Sequence, residues 1–280
     1  MDIKIFACYH KAAQAIHSDI IRPLHVGKAL STTDLGFPGD DTGDNISARN
    51  PHYCELTATY WIWKNVQADV VGLFHYRRLL NLADTHTKVH KTDAASLAAH
   101  GLTAENIRSL LDRYDALLPH ECTFDETIHE QYRRAHVASD IDTALAVIDE
   151  KYPHMSHAAD AVIRNGSRMY GTNMLVAPKP LFDEYASWLF DILFEVERRV
   201  HASVHGRAAY QQRVYGFLSE RLMGVFIAYK QQVDGLKFMT FPALCIEEDE
   251  RKWNRYRFRF FRRKLLSALG LGKKRWQRQM

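Results

Sequence analysis

Short apolar segments, each about one strand long, alternate along this chain with segments of helical periodicity, and this alternation restricts the folds that the chain can adopt. The predicted strands are Ile3–Tyr9, Pro23–Val26, Ala68–Phe74, Tyr114–Leu118 and Tyr170–Ala177. The predicted helices are His52–Asn65, Thr103–Arg113, Asp140–Tyr152, Pro180–Arg199 and Tyr210–Lys230. Strands that alternate with helices favour an α/β fold, with one mostly parallel central sheet flanked by helices.

The composition indicates a globular protein of a reducing compartment. Of the 280 residues, 46% are hydrophobic and 25% are charged, which is enough apolar material for a substantial core. The four cysteines, Cys8, Cys54, Cys122 and Cys245, are widely separated and form no CxxC pair. They predict neither a zinc site nor a disulfide framework, so a cytoplasmic location is expected. No apolar run approaches the roughly 18 residues that read as a membrane span.

Positive charge is concentrated at the C-terminal end. Residues 251–280 hold twelve of the 37 Lys and Arg residues and none of the 33 acidic residues, so residues 1–250 carry 25 basic and 33 acidic side chains. Proteins that bind nucleic acid usually carry their basic residues over the folded surface where the substrate lies. No nucleic-acid partner is therefore expected, although binding by the tail alone stays open. We predict a main domain at 1–250 and a basic, helical tail at 251–280.

The tail also carries apolar side chains that could enter a membrane surface. They are Trp253, Tyr256, Phe260, Leu265, Leu266, Leu269 and Trp276. Their mixture with Arg and Lys predicts an amphipathic segment that holds the protein peripherally at the anionic inner face of the cell membrane and is dispensable for chemistry. The alternatives are a disordered solubilising tail, docking on an acidic partner, and packing of the aromatic rings against the main domain.

Polar side chains directly follow two of the predicted strands. The first strand ends at Tyr9, His10 and Lys11, and a later one runs into the HYRR segment at 75–78. Open α/β sheets bind ligands beyond the carboxyl ends of their strands. An aromatic ring can stack on a base, and guanidinium groups match phosphate oxygens. A surface turn, and pairing of the arginines with acidic residues, are the alternatives.

The segment between Gly36 and Pro51 is dominated by Gly, Pro, Asp and Asn and has no apolar periodicity. Its candidate ligand side chains are Asp40, Asp41, Asp44 and Asn45, with Asp34 just before it. Carboxylates and amides could bind ribose hydroxyls, a base edge or a divalent cation. The alternative is a turn in which Asp and Asn bond their own backbone. The density of strong acceptors favours a site.

Several long blocks of the sequence resemble a known family. They are IKIFACYHK, HVGKAL, LGFPGDDTGDNISARNPHYCELTATYWIWKN, VVGLFHYRRLL, YGTNMLVAPKPLFDEYASWLFDIL and RVYGFLSERL, in that order over residues 3–230. They resemble a bacterial domain-of-unknown-function family whose members are described as capsular or exopolysaccharide biosynthesis glycosyltransferases. The resemblance implies a GT-A-like fold and transfer of a hexose-type sugar from a nucleoside diphosphate sugar, expected to be UDP-linked. The implied acceptor is a lipid-linked or growing glycan of capsule, exopolysaccharide or lipopolysaccharide.

The resemblance also places the candidate site residues. Donor binding is expected at Tyr9, His10, Lys11, Asp40, Asp41, Asp44, Asn45 and Asn173. For Asn173, which lies in a predicted strand, a structural hydrogen bond is the alternative. Many enzymes of the implied fold hold Mg²⁺ or Mn²⁺ with an Asp-x-Asp motif at the strand end where this chain has His75, Arg77 and Arg78. This departure puts a metal in doubt, because two guanidinium groups and an imidazole could neutralise a leaving diphosphate directly. If a cation is needed, Asp40, Asp41 and Asp44 are its candidate ligands.

Glu220 is the candidate catalytic base. Arg213, Gly216 and Glu220 are spaced to share one face of a predicted helix. A transfer to a hydroxyl needs a proton acceptor beside that hydroxyl, and a carboxylate can fill this role. An ordinary Glu220–Arg213 helix pair is the alternative, and Asp125, Glu126 and Glu130 compete as bases.

The rival function is a noncatalytic sugar-nucleotide or polysaccharide-binding subunit of a capsule or lipopolysaccharide assembly complex, suggested by the missing Asp-x-Asp motif.

Overall fold

The structure, a computed structural model, describes residues 1–83, 85–256 and 258. In chain order, the strands of this part are β1 Ile3–Tyr9, β2 Ile21–His25, β3 Val70–His75, β4 Arg78–Leu80, β5 Lys88–Val89, β6 Ala116–Pro119, β7 Cys122–Thr123, β8 Arg168–Met169, β9 Leu175–Pro178, β10 Phe238–Phe241 and β11 Ala243–Ile246. The α-helices are α1 Asn50–Tyr53, α2 Leu56–Asn65, α3 Ala94–Ala98, α4 Ala104–Leu111, α5 Ile128–Ala135, α6 Ala138–Lys151, α7 Ser156–Ala159, α8 Lys179–Val204 and α9 Val214–Val233. A π-helical turn spans Asp160–Arg164, and residues 250–256 are also helical.

The main sheet has the order β2-β1-β3-β9-β6-β10. Strands β2, β1, β3, β6 and β10 run in one direction, and β9 runs antiparallel between β3 and β6. The remaining strands of this sheet, β4, β11 and β5, extend it beyond the end of β3. The predicted α/β class with a mostly parallel central sheet is therefore confirmed.

Both faces of the sheet are covered, as expected for parallel strands with near-continuous apolar sequences. On one face, Phe6 and Cys8 of β1 pack in a core with residues of α2, α6, α8 and α9. On the other face, Ile5, Ala7 and Tyr9 pack in a core with residues of α3 and α4. Because the parallel strands run in one direction, their C-terminal ends all lie at one edge, which we call the carboxyl edge of the sheet.

Two predicted elements differ from the structure. The helix expected at His52–Asn65 is broken into α1 and α2 at Cys54 and Glu55. The strand expected at Tyr170–Ala177 is shorter, because only Leu175–Pro178 pairs with β3 and β6. Residues 170–174 instead cross the carboxyl edge, and this places Asn173 at the point where β9 begins.

The first part of the tail is attached to the main domain. Trp253 stacks on His90 with ring centroids 6.1 Å apart, and the Tyr256 hydroxyl accepts a hydrogen bond of 3.2 Å from the Thr87 backbone N–H. These two rings therefore contact protein, as in the alternative that packs aromatic residues against the main domain. The other apolar residues predicted to meet a membrane, from Phe260 onward, lie outside the described residues. Within the described part, no helix is long and apolar enough to cross a bilayer.

Candidate active site

The carboxyl edge gathers side chains from distant parts of the sequence. His10 follows β1, His75 ends β3, and Asn173 precedes β9, which starts at this edge because it runs antiparallel. Helix α9 passes the same edge and contributes Ser219 and Glu220. The placement agrees with the general rule that open α/β sheets bind ligands beyond the carboxyl ends of their strands.

Glu55 connects these elements, although sequence reasoning did not single it out. Its Oε1 accepts a hydrogen bond of 2.7 Å from the Asn173 side-chain amide and lies 3.8 Å from His75 Nε2. The Asn173 Oδ1 in turn accepts a hydrogen bond of 2.9 Å from the Ser219 hydroxyl. A chain of polar contacts thus joins the end of β3, the start of β9, α2 and α9. Asn173 forms these hydrogen bonds in the protein interior, since only 3% of its surface is exposed.

The backbone of Cys54 positions Glu55. Among the described residues, Cys54 is the one non-glycine residue with positive φ, at φ 55° and ψ −133°. Such conformations cost on the order of 1–3 kcal/mol and concentrate at functional sites. Gly216 of α9 permits the close approach, since a Cβ there would lie 3.0 Å from Cys54 Sγ. Arg213 Nε donates to the same sulfur at 3.1 Å. The break between α1 and α2 turns Glu55 toward the sheet edge.

Glu220 lies in an environment suited to proton transfer near neutral pH. Its side chain is 21% exposed, and Arg221 donates a hydrogen bond of 2.9 Å to its Oε2. Burial raises the pKa of Glu220 to about 7, with a further contribution from the charge of Glu55, against the opposing effect of Arg221, Arg213 and Arg78. The structure pairs Glu220 with its neighbour Arg221 and gives no Glu220–Arg213 ion pair within the described residues.

Four cations lie at this edge: Arg78 and Arg213 act on Glu220, and Lys11 and Arg77, together with Arg213, act on His10. We call Lys11, Arg77, Arg78 and Arg213 the cationic rim. None of them forms an ion pair with a carboxylate in the part of the chain that the structure describes. Arg77 Cζ lies 4.9 Å and Lys11 Nζ 5.9 Å from the centroid of the Tyr76 ring, which His10 contacts edge-on. Burial, Lys11, Arg213 and Arg77 lower the pKa of His10, and burial also lowers the pKa of His75.

Tyr9 has a different environment from the other residues at its strand end. Its side chain is completely buried against Phe37 and Tyr76. The hydroxyl donates to the Gln14 carbonyl at 2.9 Å and accepts from the Ile16 N–H at 2.9 Å. Tyr9 therefore fixes the segment between β1 and β2 and offers no free ring face, whereas His10 and Lys11 are exposed at the site.

Three side chains of the acidic loop, those of Asp40, Asp44 and Asn45, already form hydrogen bonds within the protein. Asp40 is fully buried and accepts hydrogen bonds from the backbone N–H groups of Gly27 and Lys28, at 3.0 and 3.2 Å, and from the Ser47 hydroxyl, at 2.5 Å. Asp44 accepts from the Tyr60 hydroxyl, and Asn45 bonds the backbone of Gly43 and Ser47. Asn45 thus bonds its own neighbouring backbone, as in the alternative turn, whereas Asp40 and Asp44 are held by groups from other segments. The donor-binding role of Asp40, Asp41, Asp44 and Asn45 stays a prediction.

The described residues contain no cluster of side chains arranged to bind a divalent cation. No group of three or more His, Cys, Asp or Glu side chains there is placed to hold one. The oxygens of Asp40 already accept three hydrogen bonds, and Asp41 is exposed. The aspartates that the sequence offered as ligands therefore do not fit a shared cation.

Two of the three competing carboxylates, Glu126 and Glu130, have local partners. Glu130 forms a capping box with Thr127 at the start of α5, and Glu126 pairs with Arg134 at 2.5 Å. Glu55 was missed because its partners come from β3 and from the segment before β9. Its one sequence signal is an acidic residue inside the otherwise apolar block YCELTATYW.

The chain is an α/β protein with a GT-A-like sheet, and charged side chains form a candidate ligand site at the carboxyl edge of that sheet. The chain belongs to the family described as Domain of unknown function (DUF4422), whose model matches residues 4–232. The structure is also similar to that of the protein titled WbbM bifunctional glycosyltransferase, in an apo structure, with a TM-score of 0.81 and 36% sequence identity. The similarity covers 88% of this chain and 46% of that one, so this chain spans about half of that protein's length. No curated protein matches the chain.

Asp40 gives a test that separates support of the loop from donor binding. Replacing Asp40 with Asn puts an amide where two backbone N–H groups and a hydroxyl now donate. We expect Asp40→Asn to lower the free energy of unfolding by about 1–3 kcal/mol in urea denaturation. Asp41→Asn, at an exposed position of the same loop, should change it by no more than about 0.5 kcal/mol. Unchanged stability of Asp40→Asn together with weaker nucleotide binding would instead assign Asp40 to the donor.

Proposed function

We propose that the protein is a glycosyltransferase that moves a sugar from a nucleoside diphosphate sugar, UDP-linked, to a lipid-linked or growing surface-polysaccharide glycan. The similarity to a protein named as a bifunctional glycosyltransferase supports the reaction class. The observation that carries the proposal is Glu220, a carboxylate with a pKa raised to about 7 that lies near Arg78 and Arg213 at the carboxyl edge of the sheet, neither of which has a carboxylate partner among the described residues.

The cationic rim is proposed to hold the diphosphate. Arg77 and Arg78 are exposed, lie at the turn after β3, and have no carboxylate partner in the described sequence. Guanidinium groups present fixed donors to phosphate oxygens, and their hydrogen bonds to anions are stronger than neutral ones. As the bond between the sugar and the diphosphate breaks, negative charge grows on the leaving oxygen. Donors already in place around that oxygen stabilise the transition state without reorganisation.

Glu220 is proposed to take the proton of the acceptor hydroxyl while that oxygen attacks the sugar carbon. A base with a pKa near the working pH is effective, because it is partly ionised and still basic enough to accept a proton. Asn173 and Glu55 are proposed to act as positioning residues. Their hydrogen bonds fix α9 against the sheet. They also hold the Glu55 carboxylate in place, and its negative charge adds to the effect of burial in raising the pKa of Glu220.

The basic tail is proposed to hold the protein at the inner face of the cell membrane. Twelve Lys and Arg residues in 251–280, with no acidic residue, support attraction to an anionic leaflet. Each basic residue near such a surface can contribute about 1 kcal/mol. Because Trp253 and Tyr256 pack on the main domain, the residues after Phe258 are those assigned to the membrane.

The pH dependence of turnover tests the role of Glu220. The carboxylate must be ionised to accept a proton, so kcat/KM should rise with pH through about 7. Glu55→Gln keeps a hydrogen-bond acceptor for Asn173 but removes the charge that raises the pKa of Glu220. The rising limb should therefore move to lower pH in Glu55→Gln and stay in place in Glu126→Gln, a control outside the site. An identical limb in wild type and Glu55→Gln would contradict the assignment.

Removal of the rim arginines tests the leaving-group step. Arg77→Ala and Arg78→Ala should each lower kcat on the order of 10²-fold, as for the loss of one preorganised donor to a developing anion. Arg22→Ala, at an exposed position of β2, is the matched control and should keep normal kcat. Urea denaturation of each variant separates a catalytic effect from unfolding. Near-normal kcat in both single variants and in their double variant removes the HYRR segment from the mechanism.

Vesicle binding tests the tail. A chain shortened after Phe258 keeps the contacts of Trp253 and Tyr256 and should lose co-sedimentation with anionic phosphatidylglycerol vesicles, while transfer to a soluble acceptor persists. Binding of the full chain should weaken as salt rises, because surface charges are screened. Equal sedimentation of the full and shortened chains speaks against a membrane role, and retention on DNA alone would revive the nucleic-acid alternative.

A further inference from the structure

An open cavity of about 330 Å³ lies beside the carboxyl edge, next to the part of helix α9 that follows Glu220. Its walls come from three places: residues 161–168, the segments at Glu121 and Tyr170 on either side of the sheet edge, and helix α9. The volume falls within the roughly 300–1,000 Å³ typical of small-molecule sites. The donor and base roles proposed above use none of its lining residues.

Helix α9 connects this cavity to the proposed base. Gly224, Ile227 and Gln231 line the cavity and follow Glu220 by four, seven and eleven residues, which is the spacing of one helix face. With a rise of 1.5 Å per residue, Gly224 lies about 6 Å and Gln231 about 16 Å along the axis from Glu220. Arg213, at the start of the helix, is in register with the same face. One face of α9 therefore leads from the cationic rim past Glu220 into the cavity.

The lining is mixed in the way that sugars require. Asn165, Ser167, Arg168 and Glu121 supply hydrogen-bond donors and acceptors for hydroxyl groups, and Tyr170 and Ile227 supply apolar surface for ring C–H groups. Neither Arg168 nor Glu121 has an ion-pair partner within residues 1–83, 85–256 and 258. Burial, and next the charge of Glu121, raise the pKa of Tyr170, and both side chains belong to the cavity lining.

The backbone around the cavity has an uncommon geometry. One wall is the π-helical turn Asp160–Arg164, closed by a 2.9 Å bond from the Asn165 N–H to the Asp160 carbonyl. Single π-helical turns are rare and recur at functional sites. Gly166 lets the chain leave this turn, since a Cβ there would meet the Val162 carbonyl at 2.4 Å. On the opposite wall, Gly224 lets α9 lie close to the π-helical turn, because a Cβ at this position would lie 3.0 Å from Val162.

We propose that this cavity is the acceptor subsite, which binds a neutral mono- or disaccharide unit of the acceptor glycan and directs its hydroxyl toward Glu220. The inference rests on the proposed function and adds to it the substrate class and the residues that recognise it. Arg168, Glu121 and Asn165 are the specificity residues, because they are the polar groups that can distinguish one arrangement of hydroxyls from another. Tyr170 orients the sugar ring.

Saccharide binding tests the subsite directly. Saturation-transfer NMR of the full chain is measured with methyl β-D-glucopyranoside, methyl β-D-galactopyranoside, methyl α-D-mannopyranoside and maltose as probes. At least one probe should bind the wild-type protein, and saturating UDP should not displace it. Ala228→Trp, at a half-buried cavity position, should weaken that binding about tenfold or more by filling the space. Gln232→Trp is the matched control, an exposed α9 residue outside the cavity.

Arg168→Gln keeps the proposal testable if Ala228→Trp does not fold, because this exposed position tolerates substitution and should also weaken the probe. Equal binding by wild type, Ala228→Trp and Arg168→Gln, displacement of the probe by UDP, or no binding of any probe overturns the acceptor subsite. Release of UDP from UDP-glucose and UDP-galactose by the wild-type protein is measured separately. Its absence counts against the glycosyltransferase, whereas its presence without saccharide binding counts against the cavity alone.

Discussion

The hydrogen bond between Asn173 and Glu55 is the contact on which the arrangement of the site depends. It joins α2 to the start of β9, and through Ser219 it reaches α9. Because Asn173 is buried, the loss of either partner would leave a polar group without compensation, which typically costs about 1–3 kcal/mol. The same bond fixes the carboxylate of Glu55 beside His75, so that support of the fold and tuning of the site come from one contact.

The electrostatics of the carboxyl edge follow from that placement. Two carboxylates, Glu55 and Glu220, lie close enough for the charge of one to raise the pKa of the other, while Arg221 holds Glu220 from the buried side. Arg221 is itself fixed by the Phe217 carbonyl and by Gln131. The rim cations lie on the open side without carboxylate partners in the described residues. In the proposed reaction, an anion binds on the side of the rim cations and a neutral group binds on the side of the cavity.

The sequence predicted the parts of this site that depend on local pattern. Apolar segments followed by polar residues predicted β1 and β3 and the positions of His10 and Arg77, because a strand and its end are set by adjacent residues. Helical spacing similarly placed Gly216 and Glu220 on one face of a helix, α9. These predictions of structure are confirmed, while the chemical roles of the residues stay predictions.

What the sequence did not predict depends on contacts between distant segments. The break at Cys54 requires the missing side chain of Gly216 and the donor of Arg213, so the periodicity of 52–65 suggests an unbroken helix. The density of aspartates in the acidic loop suggested a ligand site. Asp40 is instead enclosed by the backbone N–H groups of Gly27 and Lys28, and a buried acceptor and an exposed one have the same sequence signature.

A crystal structure of the protein with a bound UDP-sugar tests the central claim most directly. The account predicts that the diphosphate contacts Arg77 and Arg78, and that the sugar carbon attached to it faces Glu220 across the mouth of the cavity. A diphosphate bound at the Asp40–Asn45 loop, or a sugar directed away from Glu220, would contradict the assignment of the site.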